Sequence, residues 1–313
     1  MVHDEWRRLA VRFSGRGRGR TGRRRIRAPA RGQKVQRVFG QVIGALMRAL
    51  LMGLMVTLPA SLLPDTRPDS AQIVVLFALF VGVLTLVEYA SRYPGLVEFR
   101  YAPPYNRLRF AALALSVLLL SLMWRGEAAP STVGQFLAAL GGMLGNLLDF
   151  PYSPVRLLML TLPASTPAGD VALLRAAAGL SATVALGMLM AFGLMLWLSA
   201  WPARTSAFNV WVNLPTFDPT AGGDVVARLE RDARTNIVLG ALFPFVAPAL
   251  LLGAGSLMVP LPEAGTQTQI WVIAAWGFLP AGLVMRGVAL ARVARMIRER
   301  REAAGAEARL QPV

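Results

Sequence analysis

The chain has 313 residues, of which 55% are hydrophobic and only 16% charged, and its mean hydropathy is +0.50. A soluble domain of this length needs a more polar surface, so the composition indicates a polytopic, all-α membrane protein. The net charge is +16, the only histidine is His3, and cysteine is absent. Disulfides, thiolate chemistry and sites built on paired histidines are therefore excluded, and we expect no cofactor, no metal and no catalytic residues of these classes.

The first 37 residues form an arginine-rich tail with thirteen basic residues against two acidic ones. The Gly-interleaved arginines of 14–34 are a pattern found in nucleic-acid-binding segments, but this stretch lacks the aromatic residues that stack on bases. Just upstream, residues 4–13 fit a short helix lying in the membrane interface. We expect the tail to contact anionic lipid headgroups, with a disordered tail that only fixes orientation as the competing interpretation. Nucleic acid is not the expected partner.

Six apolar stretches reach the roughly twenty residues that crossing a bilayer requires. They cover about 38–63, 71–90, 107–124, 172–200, 236–259 and 268–290. Arginine is concentrated before the first stretch, after the second, fourth and sixth, and is sparse after the first and fifth. By the positive-inside rule we expect six spans of a bacterial inner membrane, with both termini in the cytoplasm. The predicted organisation is a tail (1–37), a transmembrane domain (38–292) and a charged cytoplasmic C-terminal tail (293–313).

The first span ends in the sequence LMVTLPAS (54–61), and a near copy, LMLTLPAS (158–165), precedes the fourth span. A weaker copy, LMVPLPEA, ends the fifth span. Proline interrupts the hydrogen-bond ladder of a helix, so we expect Pro59 and Pro163 to end helices at similar periplasmic corners. Internal duplication is the competing interpretation, and we expect no catalytic role for these motifs.

Ionisable residues inside spans are functional candidates. Arg48 lies in the first span and Glu88 near the end of the second, so the two could form an ion pair or could each reach the cytoplasmic border separately. Arg286, close to the cytoplasmic border of the sixth span, is expected to reach the headgroups. The nearby stretch VEFRYAPPYNRLRF (97–110) is rich in aromatic and basic residues and matches no known motif.

The connection between the third and fourth spans is too long for a simple loop. Within it, residues 131–150 carry few charges and several leucines near helical spacing. A seventh span would contradict the charge distribution, so we expect a periplasmic helix that is interfacial, with a re-entrant helix as the alternative. The cytoplasmic connection 206–236 is interpreted either as a docking surface or as a solvated connector.

Prolines also occur inside two predicted spans, Pro244 and Pro248 in the fifth and Pro280 in the sixth, where they are expected to break or kink the helix. From these features we expect an accessory or assembly factor that binds a membrane-protein partner. The alternative is a small-solute facilitator or exporter that uses the proline-containing fifth and sixth spans. A third interpretation is a lipid-handling enzyme with Asp149 and Asp170 at the periplasmic border, although no motif organises these residues.

Overall fold

The computed structural model describes residues 31–64, 68–91, 93, 95–199, 201–202, 210–218, 220, 222–254 and 259–309. Within these ranges the chain forms α-helices and one short 3-10 helix, Leu261–Glu263, and no strand. The helices are α1 Arg31–Leu62, α2 Pro68–Ala90, α3 Tyr105–Ala128, α4 Thr132–Leu148, α5 Pro154–Met159, α6 Ala168–Leu198, α7 Val210–Asn213, α8 Val225–Ala254 and α9 Thr266–Arg309.

Six of these helices, α1, α2, α3, α6, α8 and α9, are long and apolar enough to cross a membrane, and each covers one of the six predicted stretches, as in a multi-pass membrane protein. Two of them extend furthest beyond the predicted bounds. The helix of α8 begins before 236 and that of α9 continues beyond 290, so most of the predicted C-terminal tail is helical. The two extensions pack on each other, since Leu229 and Ala233 of α8 belong to the same buried cluster as Val293 and Ala294 of α9. Ion pairs on the surface, Arg298 with Glu230 and Arg301 with Asp224, add to this contact.

The first two spans form an antiparallel hairpin with a seam of small residues. A Cβ added to Gly53 would lie 3.6 Å from the carbonyl oxygen of Ala78, and one added to Gly82 would lie 3.5 Å from that of Ala49. Small residues at this spacing allow two helix backbones to approach closely. Ala78 is the only residue of α2 that is buried, and the remaining residues are partly or fully exposed on the surface of the bundle.

The remaining helices enclose two stacked hydrophobic clusters. One lies at the arginine-rich end of the bundle, which holds residues 95–104 and 210–218, and is built mainly from α3, α6, α8 and α9. The other lies at the opposite end, here called the hairpin end, where α1, α3 and α8 finish, and it includes residues of α4 and α5. Between them α6 and α9 touch closely, since Ser181 donates a hydrogen bond of 2.9 Å to the carbonyl oxygen of Ile273.

The helix predicted within 131–150 is confirmed as α4, and it packs directly along α6. A Cβ added to Gly145 would lie 2.5 Å from the carbonyl oxygen of Arg175, and one added to Gly179 would lie 2.3 Å from the backbone nitrogen of Gly145. The packed face is therefore a stripe of glycines with Leu137, whereas Phe136 is 63% exposed. Sequence reasoning followed the leucines because apolar periodicity does not reveal how close two backbones come.

The prolines lie in different local structures. Pro59 falls in the last turn of α1, which continues to Leu62, while Pro163 follows the short helix α5 in a turn. The two LPAS segments are therefore not equivalent corners; the third copy lies partly outside the described residues. Pro244 and Pro248 in α8 and Pro280 in α9 are also inside helices that continue past them. Neighbouring helices stabilise such prolines within a membrane bundle.

Candidate functional site

A polar centre at the arginine-rich end is formed by Glu98, Arg286 and Thr216. Glu98 lies in the connection between α2 and α3, and its carboxylate side chain is only 9% exposed. Arg286, on α9, binds it through two parallel contacts, Nε to Oε2 and Nη2 to Oε1, both of 2.7 Å. The hydroxyl of Thr216 donates a third hydrogen bond, of 2.7 Å, to Oε1. Such two-pronged arginine–carboxylate pairs fix geometry as well as contributing energy.

The position of Arg286 differs from the sequence-based expectation. Instead of reaching the headgroups, its guanidinium pairs with Glu98, a residue that sequence reasoning did not single out. The two residues are far apart in the chain, so only the tertiary structure brings them together. The one available signal was the unusual density of aromatic and basic residues in the segment 97–110.

Backbone contacts hold the Glu98 segment in place. The carbonyl oxygen of Asn213 accepts a hydrogen bond of 2.6 Å from the Phe99 amide, and its side-chain oxygen accepts one of 3.0 Å from the Tyr101 amide. Leu214 is fully buried beside them. Within the connection 206–236, Asn213, Leu214 and Phe217 are therefore packed into the protein, whereas Asp218, Thr220 and residues 222–224 are exposed, as a solvated connector would be.

Four aromatic rings pack against this centre, with centroid separations between 4.5 and 6.2 Å. They belong to Phe99, Tyr105, Phe192 and Trp201, all nearly or fully buried. Trp201 donates its indole N–H to the carbonyl oxygen of Ala102 at 3.1 Å, which satisfies its only polar group. The cluster connects α3, α6 and the loops at this end into one packed unit.

Arg48 and Glu88 do not form the ion pair that the sequence allowed. Both side chains have other partners, because the Glu88 carboxylate accepts hydrogen bonds from backbone amides of the next loop. Arg48 instead donates to the carbonyl oxygen of Gly44 at 2.6 Å and lies over the ring of Tyr89, 4.8 Å from its centroid. The two groups therefore interact separately, as the competing interpretation stated.

The carboxylate of Glu88 organises the start of the next loop. It accepts hydrogen bonds of 3.0–3.2 Å from three successive backbone amides, those of Gly95, Leu96 and Val97. Arg100 donates to the carbonyl oxygen of Ser91 at 2.8 Å from the other side of the loop. The role supported by these contacts is to cap and shape the loop that carries Glu98.

A second site lies where the chain turns from α4 into α5. We call these two helices the α4–α5 hairpin, and the turn between them, residues 148–154, the hairpin tip. A cavity of about 290 Å³ opens there between the hairpin, α6, α8 and α9. Its wall includes glycines and prolines of the spans, namely Gly240 and Pro244 of α8 and Pro280 of α9, together with Gly277. The rest of the wall is apolar and is formed by Leu148, Phe150, Pro154, Val155, Ala182, Ala185, Leu186, Leu189, Ala241, Trp276, Gly277, Ala281 and Val284.

A charged cluster adjoins this cavity. Asp149 follows α4 directly and its side chain is 7% exposed. The Nε of Arg156 lies 2.7 Å from one carboxylate oxygen, and the Nε of Arg175 lies 2.9 Å from the other. Neither contact has the alignment of a hydrogen bond, so both are ion pairs by distance. Asp149, which the sequence suggested for a border site, is thus engaged with two arginines.

The chain matches no family model, no curated protein and no solved structure. Across the described ranges, groups of three or more His, Asp or Glu side chains that could hold a metal ion do not occur. The expectation that the protein takes no cofactor stays a prediction.

Proposed function

We propose that the protein spans a bacterial inner membrane with both termini in the cytoplasm. The distribution of arginine supports this orientation, because the end that holds Arg100, Arg228 and the α9 extension is the basic one. A reporter that is active only in the cytoplasm should be active when fused after residues 100 and 220. A reporter that is active only in the periplasm should be active when fused near residues 65 and 263. Opposite behaviour at 65 or 263 would reject the orientation.

We further propose that α4 and α5 form a re-entrant hairpin and not an interfacial helix. The supporting observation is that Leu148 and Phe150, at its tip, share a cavity wall with Ala182 and Ala185 in the middle of α6. Ala182 lies fourteen residues beyond the start of α6, which is about 21 Å at 1.5 Å per residue. Non-helical backbone at such a depth is tolerated where protein surrounds it.

The absence of cysteine makes this hairpin accessible to a direct test. Single cysteines placed along 132–150 can be labelled with a membrane-impermeant maleimide added to the outside of cells. A re-entrant helix should show labelling that falls steadily from residue 132 towards 150. Labelling that instead rises and falls with helical period, without an overall decline, would show an interfacial helix.

For the activity itself, we propose an accessory or assembly factor that binds a membrane-protein partner through the α1–α2 hairpin. The observation that carries this proposal is the packing of α2, which contacts α1 and buries Ala78 alone. Its outer face is apolar and carries two stacked rings, Phe77 and Phe80, with centroids 6.5 Å apart. In lipid, a helix with so few intramolecular contacts is free to pack against a helix of another chain.

Site-directed photocrosslinking tests the docking face. A photoreactive residue at Phe77 or Phe80 should give a crosslink to one partner of defined mass, whereas the same residue at Met190, 70% exposed on α6, should not. Replacing both phenylalanines with alanine should reduce the amount of that partner that co-purifies, while the abundance of the protein itself stays unchanged. Crosslinks only to lipid, or equal crosslinks from α6, would contradict the proposal.

The alternative of a facilitator or exporter has one specific observation in its favour, since the cavity lies beside Pro244 and Pro280. The cavity wall is apolar, however, which suits an apolar ligand better than a polar solute. Transport of a polar solute by purified protein in liposomes, lost when Ala182 is enlarged to Leu, would favour this alternative over the accessory role.

The arginine-rich segment 14–30 lies outside the described residues, and its contact with anionic lipid stays a proposal. Deleting residues 14–31 should weaken binding to anionic liposomes, and the effect should fall with added salt, because screening limits electrostatic reach to about 8 Å at physiological ionic strength. Tight RNA binding without liposome binding would replace lipid by nucleic acid as the partner.

A further inference from the structure

The cavity at the hairpin tip is open towards the lipid-facing surface. Phe150 on the hairpin is 55% exposed and Leu186 on α6 is 51% exposed, although both contribute to the cavity wall. The opposite wall is closed by buried residues of α9, including Ala281. The cavity lies where the two hydrophobic clusters meet, since Val155 belongs to one and Ala185 to the other. An apolar chain could therefore enter it sideways from the membrane.

The neighbouring charges are not balanced. One carboxylate, Asp149, is paired with two guanidinium groups, those of Arg156 and Arg175, so the cluster carries one excess positive charge. Its members differ in exposure, because the Asp149 side chain is 7% exposed and that of Arg156 is 45% exposed. An uncompensated charge at membrane depth is costly, and an anion that approaches Arg156 would neutralise it.

The two features are adjacent along the chain. Leu148 and Phe150, which line the cavity, flank Asp149, and Val155, which also lines it, precedes Arg156. The arrangement combines an apolar cavity open to the membrane with a reachable cation at its edge. A free phosphate would fill only the charged part, and an uncharged apolar ligand only the cavity.

We propose that the hairpin tip binds an anionic phospholipid of the periplasmic leaflet, with its phosphate on Arg156 and one acyl chain in the cavity. The inference rests on the re-entrant orientation proposed above.

Native mass spectrometry of the full-length protein, released from nanodiscs of equal phosphatidylglycerol and phosphatidylcholine, measures the lipid that is retained. The wild type should retain phosphatidylglycerol in preference to phosphatidylcholine. Arg156→Gln should reduce that retention about tenfold, because it removes a charge-assisted contact to phosphate. The matched control is Arg125→Gln, which removes the same charge from an exposed position at the hairpin end of α3.

The acyl chain is tested separately by filling the cavity. Ala182→Leu should reduce retention of both lipids, whereas Ala191→Leu, at an exposed position of the same helix, should leave it unchanged. Size-exclusion chromatography of each variant establishes that it is folded. Quenching of tryptophan fluorescence by a brominated acyl chain provides a second measurement, and it should be weaker in Ala182→Leu than in wild type.

Each outcome decides between the proposals. Both lipids carry a phosphate, and only phosphatidylcholine adds a cation that the excess positive charge of the cluster disfavours, so equal retention of the two lipids by wild type would overturn the selectivity for an anionic lipid. A loss with Arg125→Gln equal to that with Arg156→Gln would overturn the phosphate site. Undiminished retention and quenching in Ala182→Leu would overturn the acyl-chain site. If cysteine labelling shows an interfacial helix, the re-entrant orientation and the lipid site are both rejected. If labelling falls steadily towards residue 150 but the lipid measurements give an overturning result, only the lipid site is rejected.

Discussion

The contact between α4 and α6 depends on the absence of a side chain at Gly145. A Cβ at this position would lie 2.5 Å from the carbonyl oxygen of Arg175 and 2.9 Å from its carbonyl carbon. Ordinary contact begins at 3.4 Å, so Gly145→Ala requires the two backbones to separate by about 0.9 Å. Backbone atoms of a packed helix cannot move individually, and overpacking of this kind costs about 1–3 kcal/mol.

Gly142, three residues earlier in the same helix, is the matched control because a Cβ there would meet nothing within 4 Å. Both alanine substitutions gain the same roughly 0.5–1 kcal/mol of helix propensity. The difference in unfolding free energy between Gly145→Ala and Gly142→Ala is therefore the overpacking cost alone. At about 2 kcal/mol it corresponds to roughly 4–8 °C in Tm.

Thermal unfolding of the purified variants in one detergent, followed by the loss of the monodisperse peak, measures this difference. Gly142→Ala should be as stable as the wild type or more so, and Gly145→Ala less stable than both. A Gly145→Ala variant that unfolds at or above the temperature of Gly142→Ala would refute the close α4–α6 contact, and with it the position of the hairpin tip.

Two further predictions concern the arginine-rich end. Glu98→Gln leaves Arg286 without its anion and should lower the free energy of unfolding by about 2 kcal/mol, less than for a fully buried pair because Arg286 is 29% exposed. The control Glu127→Gln, at an exposed position, should change the free energy of unfolding by less than about 0.5 kcal/mol. Equal effects of the two substitutions would contradict the role of the pair. A hydrogen bond from Arg301 lowers the pKa of Asp224 below its ordinary value of 3.8, so this contact stabilises the folded state fully above pH 3.8 and is lost as the pH falls through the lowered pKa. The Tm difference between wild type and Asp224→Asn should therefore be constant near neutral pH and should shrink below pH 3.8. A Tm difference that grows on acidification would be inconsistent with this contact.

The candidate site was only partly predictable. Arg48, Glu88 and Arg286 were found because ionisable residues stand out in apolar spans, but their partners were not. A pair such as Glu98 with Arg286 depends on how a loop folds back onto a distant helix. Likewise, Arg48 and Glu88 do not pair because the loop after α2 folds back and its amides engage the Glu88 carboxylate, which the sequence does not reveal.

The sequence by itself determined the six spans, because the bilayer requires long apolar helices and each stretch meets that requirement independently of its neighbours. It also determined that a helix would form within 131–150. Only the tertiary structure decided where that helix packs, because the contact uses Gly141 and Gly145, whose missing side chains leave no apolar signal, against α6. The same holds for the cavity beside it and for the three charges at the hairpin tip, since their proximity follows from backbone approach and not from the order of residues in the chain.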